Sequence, residues 1–217
     1  PPKSINKAQS SPSAAEARVH AKSARKRMPL HAAIHRIKEL APHASLEDVD
    51  AVVAPIAEDA RSINSLIGEI RKRGDWQKAL YIAECLEARA NHGDTHVAPN
   101  QMLYNAILAV LADTGRSVEA AALLERMRQR GFELRSRSYA LAVRATSSIT
   151  EALTLVHDYE AVAAVRSPGG VADDDDAAFV FSAAMRACVR GGAWGEALLL
   201  YERMRSNGVQ TDAHCTA

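Results

Sequence analysis

His31 and His35 stand four residues apart, a spacing that puts two imidazoles on one face of a helix. A zinc site needs a third ligand nearby, and none is present, so the pair reads as solvent-facing. His92, Asp94 and His96 alternate through a short stretch, but a loop does not hold ligand geometry unaided. Asp173, Asp174, Asp175 and Asp176 form a run of like charge after Pro168, Gly169 and Gly170. A solvated linker is the expected role there, with a cation or a basic partner as the sharper alternative. Cys85, Cys188 and Cys215 are scattered and form no CxxC, which argues against a disulfide framework and against structural zinc. Cys85 and Cys188 are expected to be small buried hydrophobes. There is no Gly-rich phosphate loop, no GxSxG and no HExxH. The chain therefore reads as non-catalytic, with no cofactor.

Charge is divided unevenly. The whole chain carries a formal +1, yet residues 1–27 hold seven basic side chains against Glu16 alone, a local +6, which leaves −5 for the rest. That first stretch is rich in Ser, Ala, Lys and Arg, the composition of an unfolded arm or of a segment at or just behind an organelle transit peptide. An arm of this kind can lie along nucleic acid, while the mildly acidic body supplies little diffuse attraction to phosphate. No run approaches the roughly 20 apolar residues that span a bilayer, so a soluble segment is expected. The chain begins at Pro1 and stops abruptly at Ala217, as a piece of a longer protein would.

The elements that must position any site are helical. Leu30, Ile34, Ile37 and Leu40 share one face of a first helix. A second helix follows from Leu46, capped by Ser45 and interrupted by Pro55. Together they predict an N-terminal hairpin over residues 28–59. Beyond it the sequence repeats itself. Gly74, Trp76, Ala79 and Leu80 match Gly192, Trp194, Ala197 and Leu198, with Gly115, Ala120 and Ala121 between them. Residues 124–132 match 201–209, sharing Glu125/Glu202, Met127/Met204 and Gly131/Gly208. In one copy, Leu103, Ile107 and Leu111 line a first helix, and Gly115 supplies a left-handed stop that only glycine takes cheaply. The second helix turns Ala121, Leu124 and Met127 inward and Glu125, Arg126 and Arg128 outward. Such a hairpin cannot bury its faces alone, so neighbours must stack.

These residues, with Tyr104 and Asn105 in the first helix, resemble the pentatricopeptide repeat. The tetratricopeptide repeat, of similar period, puts its Trp in the first helix and a Pro after the second, whereas here Trp76 and Trp194 open the second. The resemblance spans residues 60–217. It divides them into copies at 60–100, 101–135, a degenerate 136–177, and 178–212, with 213–217 starting another. It implies an all-α, right-handed solenoid of about four repeats.

The resemblance also implies single-stranded RNA, or rRNA, along the groove of first helices, about one base per repeat. Carried over by position, the base selectors are Asn64 with Asn100, Asn105 with Arg135, and Ser182 with Asp212. The first pair implies a pyrimidine and the third a guanine. Met102 and Phe179 are the apolar wedges between bases, a place that Arg61 fills in the first copy. The degenerate copy offers Ala140 as a selector, which cannot hydrogen-bond a base. Lys72 and Arg190 fall where the family often places a cation near phosphate, and Asp113 holds that place in the middle copy. Asn64 and Ser182 are expected to face the surface. Asn64 and Asn105 have a plainer alternative, bridging adjacent first helices. The expected role is RNA binding in organellar gene expression, mitochondrial or alternatively plastid. The rival is a structural subunit of an organellar ribosome or other ribonucleoprotein, docking on rRNA and proteins through the arm and exposed Arg126, Arg128 and Arg203.

Overall fold

The computed structural model describes residues 28–41, 43–93, 98–167, 169–173 and 176–210. The basic arm of residues 1–27, Asp94, His96, Asp212 and residues 213–217 lie outside them. Among the described residues there are ten α-helices and no strand. They alternate as first and second members of five hairpins. The first members are α1 (Leu30–Glu39), α3 (Ala60–Arg73), α5 (Gln101–Thr114), α7 (Ser136–Ala145) and α9 (Ala177–Arg190). The second members are α2 (Leu46–Val53), α4 (Trp76–Asn91), α6 (Ser117–Gln129), α8 (Ile149–Arg166) and α10 (Trp194–Ser206). First members stack on one another in an unbroken row, α1 on α3 through to α9, and each later second member also packs on the first helix that follows it. The result is an α-solenoid.

Local chemistry sets the breaks. Ser45 and Asp48 form a reciprocal capping box at the start of α2, with Asp48 N–H donating to Ser45 Oγ at 3.2 Å and Ser45 N–H to Asp48 Oδ2 at 3.0 Å. Pro55 turns the end of that helix into a short 3-10 segment, Ala54–Ile56. Gly115 closes α5 at φ 67°, and its N–H turns back to Leu111 and Ala112 carbonyls. Trp76 and Trp194 are the first residues of α4 and α10.

Burial is continuous along the stack, running from Ile37 and Val52 through Ile67, Ile107 and Leu123 to Val143, Phe181 and Met204. Cys85 and Cys188 are buried free thiols, and burial pushes the Cys85 thiol up to about 12, which keeps it protonated and unreactive. Lys78, 1% exposed, is unexpected in such a core. Its ammonium donates to the Leu40 carbonyl at 2.9 Å, the Ile37 carbonyl at 3.4 Å and Asp75 Oδ2 at 3.1 Å. It thereby satisfies the carbonyl end of α1 from the next hairpin.

Ionic ties join the hairpins on the side of the second helices. Asp50 holds Arg89 at 2.6 Å, Glu87 holds Arg130 at 3.1 Å, Glu133 faces Arg166 at 3.7 Å, and Glu160 holds Arg203. Each carboxylate sits one hairpin ahead of its guanidinium. Glu87 also accepts from the buried Tyr104 hydroxyl at 2.6 Å. Burial, then this carboxylate, pushes the Tyr104 phenol upward, so it remains a donor throughout the physiological range.

Candidate nucleic-acid interface

The row of first helices frames an open hollow of about 1160 Å³, spanning α3, α5 and α7. Arg71, Arg135, Arg137 and Arg166 line it against only two carboxylates, Glu133 and Asp176. Polar amides at Asn64, Asn105 and Gln101 and the thioether of Met102 complete the wall. Such a surface offers charge for phosphates, amides for base edges and an apolar patch for a base face.

At the start of each first helix from α3 to α9 one long side chain stands out from the stack. Arg61, Met102 (66% exposed), Arg137 and Phe179 (49% exposed) follow in order on α3, α5, α7 and α9. Cationic and apolar members alternate. A guanidinium plane stacks on a base much as an apolar side chain does and adds charge. Arg137 escaped the sequence reading; its position, second in its helix like Arg61 and Met102, was the available signal.

The sequence-derived selectors have varied surroundings. Asn64 is half-buried and donates from Nδ2 to Met102 Sδ at 3.3 Å, while its Oδ1 is buried with no hydrogen bond among the described residues. Asn105 Oδ1 accepts from the buried Ser138 hydroxyl at 2.8 Å, a bridge between α5 and α7. Asn100 caps α5, accepting from Leu103 N–H at 2.9 Å. Arg135 is exposed and pairs with Glu133 at 3.0 Å. Ser182 is 2% exposed and donates to the Phe179 carbonyl at 3.3 Å. The expectation that Ser182 faces the surface is therefore corrected: it lies among the buried residues of the alanine-rich α9. Asp212 is outside the described residues, so its distance to Ser182 is undefined.

Lys72 is exposed and paired with Glu69 at 2.5 Å, a carboxylate that also holds Lys38 of α1 at 2.8 Å. These hydrogen bonds, Lys38 first, hold the Glu69 carboxyl at about 2. Arg190 is exposed and forms no ion pair among the described residues. Asp113 sits between Arg71 of α3 and Arg144 of α7, at 2.5 Å and 2.6 Å. Burial raises the Asp113 carboxyl, but the two guanidiniums outweigh it and keep the group below the ordinary carboxylate range. The second-helix arginines are also more engaged than expected. Arg126 is half-buried between Glu84 and Glu87, and Arg128 reaches Glu125 and the Tyr139 hydroxyl. The expected exposure is corrected for Arg126, which is half-buried, while Arg128 is exposed. His31 and His35 are exposed, with His35 beside Glu39 at 3.2 Å. Among the described residues no cluster of three metal-ligating side chains occurs, and no helix is long and apolar enough to cross a membrane.

The family model for the PPR repeat matches residues 102–132 and 179–209. These stretches cover α5 with α6 and α9 with α10, the two hairpins flanking the divergent α7–α8 pair. No curated protein matches the chain. The α5–α6 and α9–α10 hairpins are thus two copies of the pentatricopeptide repeat, set within one continuous stack of helical hairpins.

Proposed function

We propose that the face formed by α3, α5, α7 and α9 binds single-stranded RNA as a non-catalytic adaptor in organellar gene expression. The observation that carries this reading is the exposed series Arg61, Met102, Arg137 and Phe179, of which Met102 and Arg137 line a hollow with excess guanidinium. Stacking on such a series tolerates any base, because every base has a π-face. The basic composition of residues 1–27 supports a mitochondrial setting, with a plastid as the alternative. The test is binding of the protein to a randomised single-stranded RNA pool at fixed salt. Retention of RNA with enrichment at one or more positions supports a reader, and absence of retention at low salt overturns the proposal.

A second reading, a structural subunit of an organellar ribosome or other ribonucleoprotein, is favoured by the selectors themselves. Asn105, Asn100 and Ser182 spend hydrogen-bonding groups on the protein's own helices. In that role the pool is retained without enrichment, since phosphate and stacking contacts carry no sequence information.

A further inference from the structure

The Asp113 carboxylate bridges Arg71 and Arg144 with one oxygen each, across three successive first helices. All three side chains are one-third to one-half exposed, and Arg71 also lines the hollow. Guanidiniums accept carboxylate and phosphate in the same forked geometry. Two arginines held apart by one bridging oxyanion therefore define a cleft in which a phosphate oxygen pair fits as a carboxylate does. We infer that Arg71 and Arg144 form a phosphate-binding site, filled in the free protein by the internal carboxylate of Asp113. The site rests on the reading of this face as an RNA surface, and it names a backbone contact distinct from the base-facing side chains. A strand entering the hollow meets Arg71 first and displaces Asp113, so Asp113 acts as a built-in competitor that lowers affinity for any polyphosphate chain. It also keeps the two cations in position while no strand is bound, in place of letting them repel.

Asp113→Asn removes the competing charge and keeps the volume. Binding of a fluorescein-labelled oligouridylate and of inorganic polyphosphate is measured by anisotropy across a salt series for wild type, Asp113→Asn and Asp113→Asn/Arg71→Gln/Arg144→Gln. Glu202→Gln, an exposed acid on α10, controls for net charge, and circular dichroism melts confirm that each variant is folded. Asp113→Asn should bind about tenfold more tightly, the scale of one charge-assisted hydrogen bond. Its salt slope should steepen by about 0.7, as for one more phosphate neutralised on a single strand. The triple variant should lose both gains, and Glu202→Gln should move affinity less than twofold. A gain on polyphosphate with no RNA binding by any variant upholds the site and removes the RNA reading. An unchanged Asp113→Asn, or an equal gain from Glu202→Gln, overturns the site while leaving the RNA reading to stand on its own pool experiment.

Discussion

The Arg116 guanidinium lies 4.6 Å above the centre of the Trp76 ring. Arg116 sits in the turn between α5 and α6, so this cation–π contact pins the second helix of one hairpin to the turn of the next. Trp194 opens α10 as Trp76 opens α4, yet it is 63% exposed. Trp76→Ala should cost about 1–3 kcal/mol, because packing and a cation–π contact go together. Trp194→Ala should stay within about 0.5 kcal/mol. Urea titrations of the two variants make the comparison, and equal losses would refute the distinction.

Gly115→Val isolates backbone strain. The glycine holds φ 67°, and a Cβ there meets nothing within 4 Å, so the cost comes from the left-handed conformation alone. About 1–3 kcal/mol is expected, with Gly115→Asn losing less because Asn tolerates that region better. Thermal melts that rank Val and Asn equally would mean that the turn relaxes.

Asn64 and Ser182 should part company on substitution by Ala. Asn64→Ala removes an amide whose Oδ1 is buried without a partner, so stability should hold or rise. RNA discrimination should fall by about 1–3 kcal/mol once no amide meets the base edge. Ser182→Ala removes a buried hydroxyl bonded to a carbonyl and should cost about 0.5–1.5 kcal/mol of stability. Melts and pool selections on the same pair of variants supply both numbers.

Acid should loosen the first two hairpins. Glu69 titrates at about 2 in the fold against 4.5 unperturbed. A depressed carboxylate contributes stability that is complete above its unfolded value and is lost as pH falls through the folded one. The tie from Lys38 to Glu69 to Lys72 should therefore weaken between about pH 4.5 and 2. Carboxyl-carbon NMR titration reads the group directly, and Lys38→Met should move Glu69 back toward 4.5.

Removal of residues 1–27 takes away a local +6. RNA binding should weaken and its salt dependence flatten, by about 0.7 in slope for each phosphate that the arm had neutralised. A slope equal to that of the full chain would assign every phosphate interaction to the helical stack.

The helical plan was legible because its signals are local. Gly115 marks a stop through one backbone angle, Ser45 and Asp48 mark a start through a spacing of three, and Leu103, Ile107 and Leu111 mark a face through helical periodicity. The exposure of Met102 and Phe179 followed from their places at the starts of first helices. What stayed hidden depends on partners a hairpin away. Lys78 looks like a solvated lysine until Ile37 and Leu40, some forty residues earlier, supply its acceptors. Ser182 looks like a groove residue until packing of α9 leaves it 2% exposed. Asp113 looked like a missing cation, although Arg71 and Arg144, roughly one repeat to either side, make it a bridge.

The ties from Asp50 to Arg89, Glu87 to Arg130, Glu133 to Arg166 and Glu160 to Arg203 give the stack an arrow. On the second-helix side each of the first four hairpins offers acid to the next and each of the last four receives it, so an inner unit copied in tandem arrives with both halves of these joints and docks on its own duplicate without a new contact being invented. A unit inserted backwards would set carboxylate against carboxylate at one joint and guanidinium against guanidinium at the other. The array can thus lengthen by duplication but not by inversion, and its growth is directional.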